Sequence, residues 1–174
     1  MVRMAACDTS TTRSGVAIYE NGKLKSWKLF DYSKIKDLEE RTGKMCTALL
    51  SFLGDQKPEL LYIEMPRGKK NVEVVRKLTM VIGAVYGWCL LNNCYFEQIP
   101  PSSWRMYLPD FSQGGLERED LKSEGIALVK KKYGIEVPSD DVSDAILIGE
   151  AMIWKYKGAE ETKRKRTDDS ELFE

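Results

Sequence analysis

A chain of 174 residues, 43% hydrophobic and 31% charged, is long enough for one self-sufficient core and reads as a single globular domain. Its 27 basic and 27 acidic residues cancel, so net charge neither supports nor excludes a nucleic-acid partner. The complete absence of histidine excludes Ser-His-Asp and Cys-His machinery, His-bound zinc and imidazole acid–base work. Carboxylates and lysines must then carry any catalysis, and hard oxygen ligands favour Mg²⁺ or Mn²⁺.

No apolar run approaches the roughly 20 residues of a membrane helix and no signal-peptide pattern opens the chain, so a cytoplasmic protein without a membrane partner is expected. Cys7, Cys46, Cys89 and Cys94 lie in apolar surroundings without CxxC spacing and read as reduced core residues.

The first strand is a short apolar run, Met4-Ala5-Ala6-Cys7, that ends in Asp8. A hydroxyl-rich turn, Thr9 to Thr12, leads to a second strand running into Asn21-Gly22, the strongest short hairpin signal. Asp8 either caps its own turn or stands rigidly mid-sheet with room beside it for a phosphate or a metal. Lys23 to Phe30 alternates loosely and predicts a third antiparallel strand. A helix is expected from Asp37 to Leu53, stopping at Gly54, and then a buried parallel strand, Leu60-Leu61-Tyr62-Ile63, that ends in Glu64. Glu64 is a second carboxylate at a central strand end, where ligand sites of α/β sheets gather.

Arg67-Gly68-Lys69-Lys70 follows, either a solvated loop or a contact for a phosphate backbone. Asn71 to Leu91 predicts a long helix with one apolar face, and its small residues Gly83, Ala84 and Gly87 suit either packing on the sheet or a dimer contact. Cys94 to Ile99 reads as a fifth strand followed by Pro100-Pro101-Ser102-Ser103-Trp104-Arg105, and Leu108 to Leu116 reads as irregular. Glu117 to Tyr133 is an amphipathic helix closing on Lys130-Lys131-Lys132, cations that suit its dipole. Ser139-Asp140 opens a last helix whose Asp141 and Asp144, three apart, share one face of the first turn. Residues 158–174 read as a disordered charged tail after a domain spanning 1–157.

Asp8, Glu64, Asp141 and Asp144 placed this way can hold two Mg²⁺ ions roughly 4 Å apart, the clamp of in-line phosphodiester hydrolysis. Acids so clustered need cations, because alone they repel or bind protons. The order of these motifs resembles the RuvC Holliday-junction resolvases of the ribonuclease H-like superfamily, compact phage-type members especially, over about residues 3–155. The resemblance implies an α/β fold, a five-stranded mixed sheet with three antiparallel strands first, flanked by helices. It implies a homodimer that nicks opposed strands of a four-way DNA junction, leaves 5′ phosphates and uses two Mg²⁺ per site, with Mn²⁺ able to substitute. Asp8, Glu64, Asp141 and Asp144 match the metal-binding acids. Asn71 keeps the family's spacing after Glu64, Arg105 matches a basic residue near the scissile phosphate, and Lys122 matches a catalytic lysine. Asp140 joins as an outer participant, and Arg67, Lys69 and Lys70 as backbone contacts. The chain departs from the pattern with Arg67, where several relatives carry an aromatic, and along Leu78 to Gly83, which keeps the glycine without the usual Gln and Arg.

Three other readings share these residues. A ribonuclease H-type or YqgF-type nuclease on RNA or hybrids would use the same acids, since two-metal hydrolysis is indifferent to the sugar. Asp8 to Thr12 also resembles the first phosphate loop of sugar kinases and actin-like ATPases, which need two such domains. A nucleic-acid-binding module with a decayed site would not need four intact acids.

Overall fold

The computed structural model describes residues 2–66, 71–111 and 117–171. Five strands form one sheet: β1 (Arg3–Asp8), β2 (Arg13–Glu20), β3 (Lys23–Asp31), β4 (Leu60–Glu64) and β5 (Tyr95–Ile99), in the order β3-β2-β1-β4-β5. β1, β2 and β3 are antiparallel neighbours, while β4 and β5 run parallel to β1, so the expected mixed sheet is present. The hairpin turn is made by Asn21 and Gly22 at φ 51° and 75°, the two positive values a tight turn between twisted strands requires.

Helices cover both faces, which is why β1 is apolar along its whole length. Alternation along the strand sends Ala5 and Cys7 to one side, where they meet Met45, Leu49 and Leu53 of α1 (Leu38–Gln56) and Val81, Val85 and Cys89 of α2 (Val72–Leu91). Met4 and Ala6 face the other side, covered by α3 (Pro101–Met106), α4 (Arg118–Tyr133) and α5 (Asp140–Glu171). Asp8 continues the Met4-Ala6 series and Glu64 continues from Tyr62, so both belong to the face under α3, α4 and α5. Parallel pairing of Cys7 with Ile63 then brings the two carboxylates side by side at the strand ends.

Several elements differ from the sequence reading. α1 runs past Gly54 to Gln56, because Lys57 itself adopts the left-handed cap at φ 49° and donates to the Leu53 carbonyl at 2.8 Å. The stretch after β5, to which the sequence reading assigns no element, forms α3: Pro101 opens it, where its missing N–H costs nothing, and Trp104 is fully buried. The backbone of 158–171 continues α5 as helix where charged composition predicts a disordered tail. At 20 residues α2 is long and apolar enough to cross a membrane, contrary to the expectation that no segment would be. Core helices of soluble folds meet the same criterion, and Leu78, Val81, Ile82, Val85 and Cys89 are buried against the sheet side. The opposite face of α2 is apolar and exposed at Val72, Met80, Leu90 and Leu91, with open space over Gly83 and Gly87.

α5 sits hard on the sheet because two glycines let it. A Cβ on Gly149 would lie 2.4 Å from a ring carbon of buried Tyr19, whose hydroxyl donates to the Ile146 carbonyl at 2.7 Å. Gly149→Ala is therefore expected to overpack this contact and lower stability by about 1–3 kcal/mol, read as a fall in Tm by thermal denaturation. An unchanged or higher Tm would show that Tyr19 yields freely.

Candidate metal and nucleic-acid site

Gly15 pairs with Asp8 across the β1–β2 ladder, and a Cβ there would stand 2.0 Å from the Asp141 carbonyl oxygen. The missing side chain seats the N-terminus of α5 directly beside Asp8. The helix period then carries Asp144 to the same side as Asp141. Gly125 of α4 lies against the same turn, where a Cβ would make only ordinary contact, 3.6 Å from Asp144 Oδ1. Elements distant in sequence thus bring Asp8, Glu64, Asp141 and Asp144 together, with Asp140 alongside.

The electrostatics record this convergence. Asp8 is raised well above the ordinary carboxylate range, first by burial and then by the charges of Glu64, Asp144, Asp141 and Asp140. Asp144 is pushed up to about 7 by burial and by Glu64, with Arg105 pulling the other way. Burial, followed by the Asp140 charge, also raises Asp141, opposed by Arg13. Asp8 and Asp144 in particular feel their neighbouring carboxylates as like charges.

Three cations partly answer the acids. Lys122 Nζ lies 3.0 Å from Asp140 Oδ2, Arg105 Nη2 lies 3.8 Å from Asp144 Oδ2, and Arg13 Nε lies 3.6 Å from Asp141 Oδ2. Arg105 is fixed by stacking, its guanidinium carbon 4.6 Å from the Trp104 ring centroid and 5.7 Å from that of Phe111. Trp104 also orients Glu64, its indole Nε1 donating to Oε2 at 2.8 Å. Asp141 Oδ2 is buried without a hydrogen-bond partner. Buried polar atoms are nearly always paired, so this oxygen fits a ligand position for a cation.

The donor set suits Mg²⁺ or Mn²⁺: all oxygen, anionic, without a thiolate or imidazole. Among the described residues no three such side chains already surround one point in a metal-holding arrangement.

Of the residues singled out in the sequence, Asp8, Glu64, Asp141, Asp144, Asp140, Lys122 and Arg105 are gathered here, while Arg67, Lys69 and Lys70 lie outside the described residues. Arg13, Gly15 and Trp104 were not singled out as site residues. Gly15 carried a faint signal, a lone glycine within a strand, which marks close backbone approach. Arg13 and Trp104 carried none, because their partners are more than 30 residues away.

No protein-family model matches the sequence, and no curated protein does either. The fold is nevertheless that of RuvC, ribonuclease H-like. RuvC of T. thermophilus in complex with a Holliday junction substrate aligns with a TM-score of 0.71 at 17% identity, covering 90% of this chain and 96% of that one. A second T. thermophilus RuvC structure gives 0.68 at 18% identity, covering 91% and 97%. The yeast mitochondrial Holliday junction resolvase gives 0.58 at 16% identity, covering 89% and 79%.

The raised carboxylates make a prediction about stability. Asp144 holds its proton to about pH 7 when folded against 3.8 otherwise, and Asp8 and Asp141 shift the same way. The folded state then binds more protons than the unfolded across this window, so stability present below about pH 4 is lost as pH rises to 7. In EDTA, Tm should fall between pH 5.5 and pH 8, and millimolar Mg²⁺ at pH 8 should restore it. A Tm that rises over this interval in EDTA would mean that the acids are already neutralised.

Proposed function

We propose that this protein is a Mg²⁺-dependent, structure-selective endonuclease that resolves four-way DNA junctions by paired nicks, leaving 5′ phosphates. The observation that carries the reading is the convergence of Asp8, Glu64, Asp141 and Asp144, each raised or crowded by its neighbours, on a sheet with the RuvC strand order. T. thermophilus RuvC, the same fold, is known in complex with a Holliday junction substrate.

In this reading Asp8, Glu64, Asp141 and Asp144 would together hold Mg²⁺, two ions per site, with Mn²⁺ able to take its place. When bound, the metal would supply an activated water and charge neutralisation at the leaving 3′ oxygen. The protein's own groups do the rest. Trp104 keeps the Glu64 carboxylate from rotating away, through the 2.8 Å bond from its indole. Lys122, held on Asp140 at 3.0 Å, stands ready to offset charge developing at the cleaved phosphate. Arg105, clamped between Trp104 and Asp144, presents a fixed guanidinium to the same phosphate. Arg67, Lys69 and Lys70 would bind backbone phosphates beside Glu64.

Paired nicks need two sites, and the exposed apolar face of α2 supports a homodimer. Val72, Met80, Leu90 and Leu91 would be costly to leave in water, and the open space over Gly83 and Gly87 lets a second helix come close. We assign the nuclease domain to residues 1–157, with 158–174 a charged appendage, and the protein to the cytoplasm, the host's if it is phage-encoded. Function of this kind requires no membrane, and a branch-migrating helicase would be a natural partner.

The test is cleavage of a labelled four-way junction with Mg²⁺ and with EDTA, beside matched duplex, flap and RNA–DNA hybrid. Symmetric metal-dependent nicks in the junction are expected, with Asp8→Asn slowing them by at least about 10³-fold while junction affinity stays within about twofold. Cutting of the hybrid with the junction untouched would move the function to a ribonuclease. Tight binding without cleavage would leave a binding module.

The dimer is tested separately. Leu90→Glu, on the 61% exposed side of α2, should leave Tm nearly unchanged yet give a monomer by sedimentation. Its junction products should then be single rather than paired nicks. A dimer that survives Leu90→Glu would place the contact elsewhere.

A further inference from the structure

The three aspartates that open α5 each face a cation from a different element, and Arg13 of β2 differs from the other two. The side chains of Arg105 and Lys122 are 15% and 32% exposed, whereas that of Arg13 is 47% exposed. Its Nε stands 3.6 Å from Asp141 Oδ2, beyond hydrogen-bond length, and that oxygen has no hydrogen-bond partner. A half-solvated pair at this separation is weak and easily exchanged. The geometry opposes a fixed structural bridge.

The backbone of Arg13, by contrast, is held firmly. Ser10 Oγ accepts from the Thr12 and Arg13 N–H groups at 3.1 and 3.0 Å and donates to the Arg13 carbonyl at 2.6 Å. Arg13 also pairs with Asp31 in the β2–β3 ladder, and its charge is felt, weakly, by the Asp31 carboxyl. The result is a rigid Cα at the rim of the acid cluster carrying a long, loosely tethered guanidinium.

Resting on the functional reading above, we propose that Arg13 is an exchangeable counter-ion. It neutralises Asp141 while the acids lack a divalent cation. When a cation takes the Asp141 carboxylate, the guanidinium is displaced and turns outward to a backbone phosphate of the bound DNA. The guanidinium fork suits a phosphate as well as a carboxylate, so the side chain changes partner without losing a charge-assisted contact. Two consequences follow from linkage. Arg13 weakens divalent-cation binding in the free protein, and cation and DNA strengthen each other's binding by one common factor.

The experiment compares full-length wild type with Arg13→Gln and Arg13→Lys. Mn²⁺ affinity without DNA is read by titration calorimetry. Four-way junction affinity is read across a salt series in Ca²⁺ and again in EDTA. Arg13→Gln should bind Mn²⁺ about 3–5-fold more tightly, since a competing cation is gone. In Ca²⁺ its plot of log affinity against log salt should be shallower by about 1, while in EDTA it should match wild type. Arg13→Lys should keep the wild-type salt slope, which shows that the fold and the phosphate contact survive. Unchanged Mn²⁺ affinity in Arg13→Gln, or an equal loss of slope with and without Ca²⁺, overturns the exchange. Wild-type protein that binds neither Mn²⁺ nor the junction overturns instead the functional reading on which it rests.

Discussion

The structure is governed by a repulsion. Asp8, Glu64, Asp140, Asp141 and Asp144 converge where β1, β4 and α5 meet, and among the described residues Arg13, Arg105 and Lys122 are the cations paired with them. Like charges a few ångströms apart cost about 1 kcal/mol per pair in water and several times that in a partly buried site. Hydrogen bonds do not remove this cost, since one buried oxygen of Asp141 has none. Burial alone would favour protonation, which is the state Asp8 and Asp144 are pushed toward. A core fold free to choose would not collect five carboxylates at one strand end. Such a collection is what the cation site proposed above would require.

The scaffold spends packing freedom to hold that cluster still. α5 can approach only because Gly15 and Gly149 present no side chain to it, with Asp141 backbone and the Tyr19 ring filling the space. Once there, its buried Val142, Ala145, Ile146 and Ile148 bind it to the sheet and fix the direction of its first turn. Behind Glu64 stands Trp104, buried completely, at once a core residue and a hydrogen-bond donor to the site. Hydrophobic burial thus supplies the free energy that crowds the acids. Packing of the core and crowding of the carboxylates are consequently opposed near neutral pH, where the raised acids would lose their protons.

How much of this was legible in the sequence depended on range. Asp8 and Glu64 were readable because a strand end is a local event, an apolar run terminated by one acid, and the Asn21-Gly22 turn fixed the antiparallel half of the sheet. Asp141 and Asp144 were readable because three-residue spacing on a helix start is local too. The pairing of Arg13 with Asp141 spans the whole domain, and nothing near Arg13 distinguishes it from a solvated strand residue. The end of α1 was misjudged for a different reason: Gly54 is the better left-handed residue by propensity, yet Lys57 takes that conformation because Leu53 is buried and holds the helix for another turn. Tertiary burial overrode local preference there. The apolar length of α2 was underestimated because Arg76 and Lys77 interrupt the run, whereas Leu78 to Leu91 carries no charge and the helix as a whole stays apolar enough.

Chemistry and selectivity live in different parts of this molecule. Carboxylate-held cations hydrolyse phosphodiesters without regard to the sugar or to branching, so nothing at Asp8 or Glu64 can recognise a four-way junction. In the proposed function, shape would have to be read by features that reach across distance. One is the exposed face of α2, on the opposite side of the sheet from α5, which would set the separation and direction of two active sites. The other is the rim of basic side chains, where positions relative to the cluster decide which phosphates sit over the acids. A monomer with the same acids would be a nuclease without geometry. If the dimer proposed above forms, the apolar face of α2 would be as much a part of the functional design as the aspartates, and its exposed Met80, Leu90 and Leu91 would be covered there.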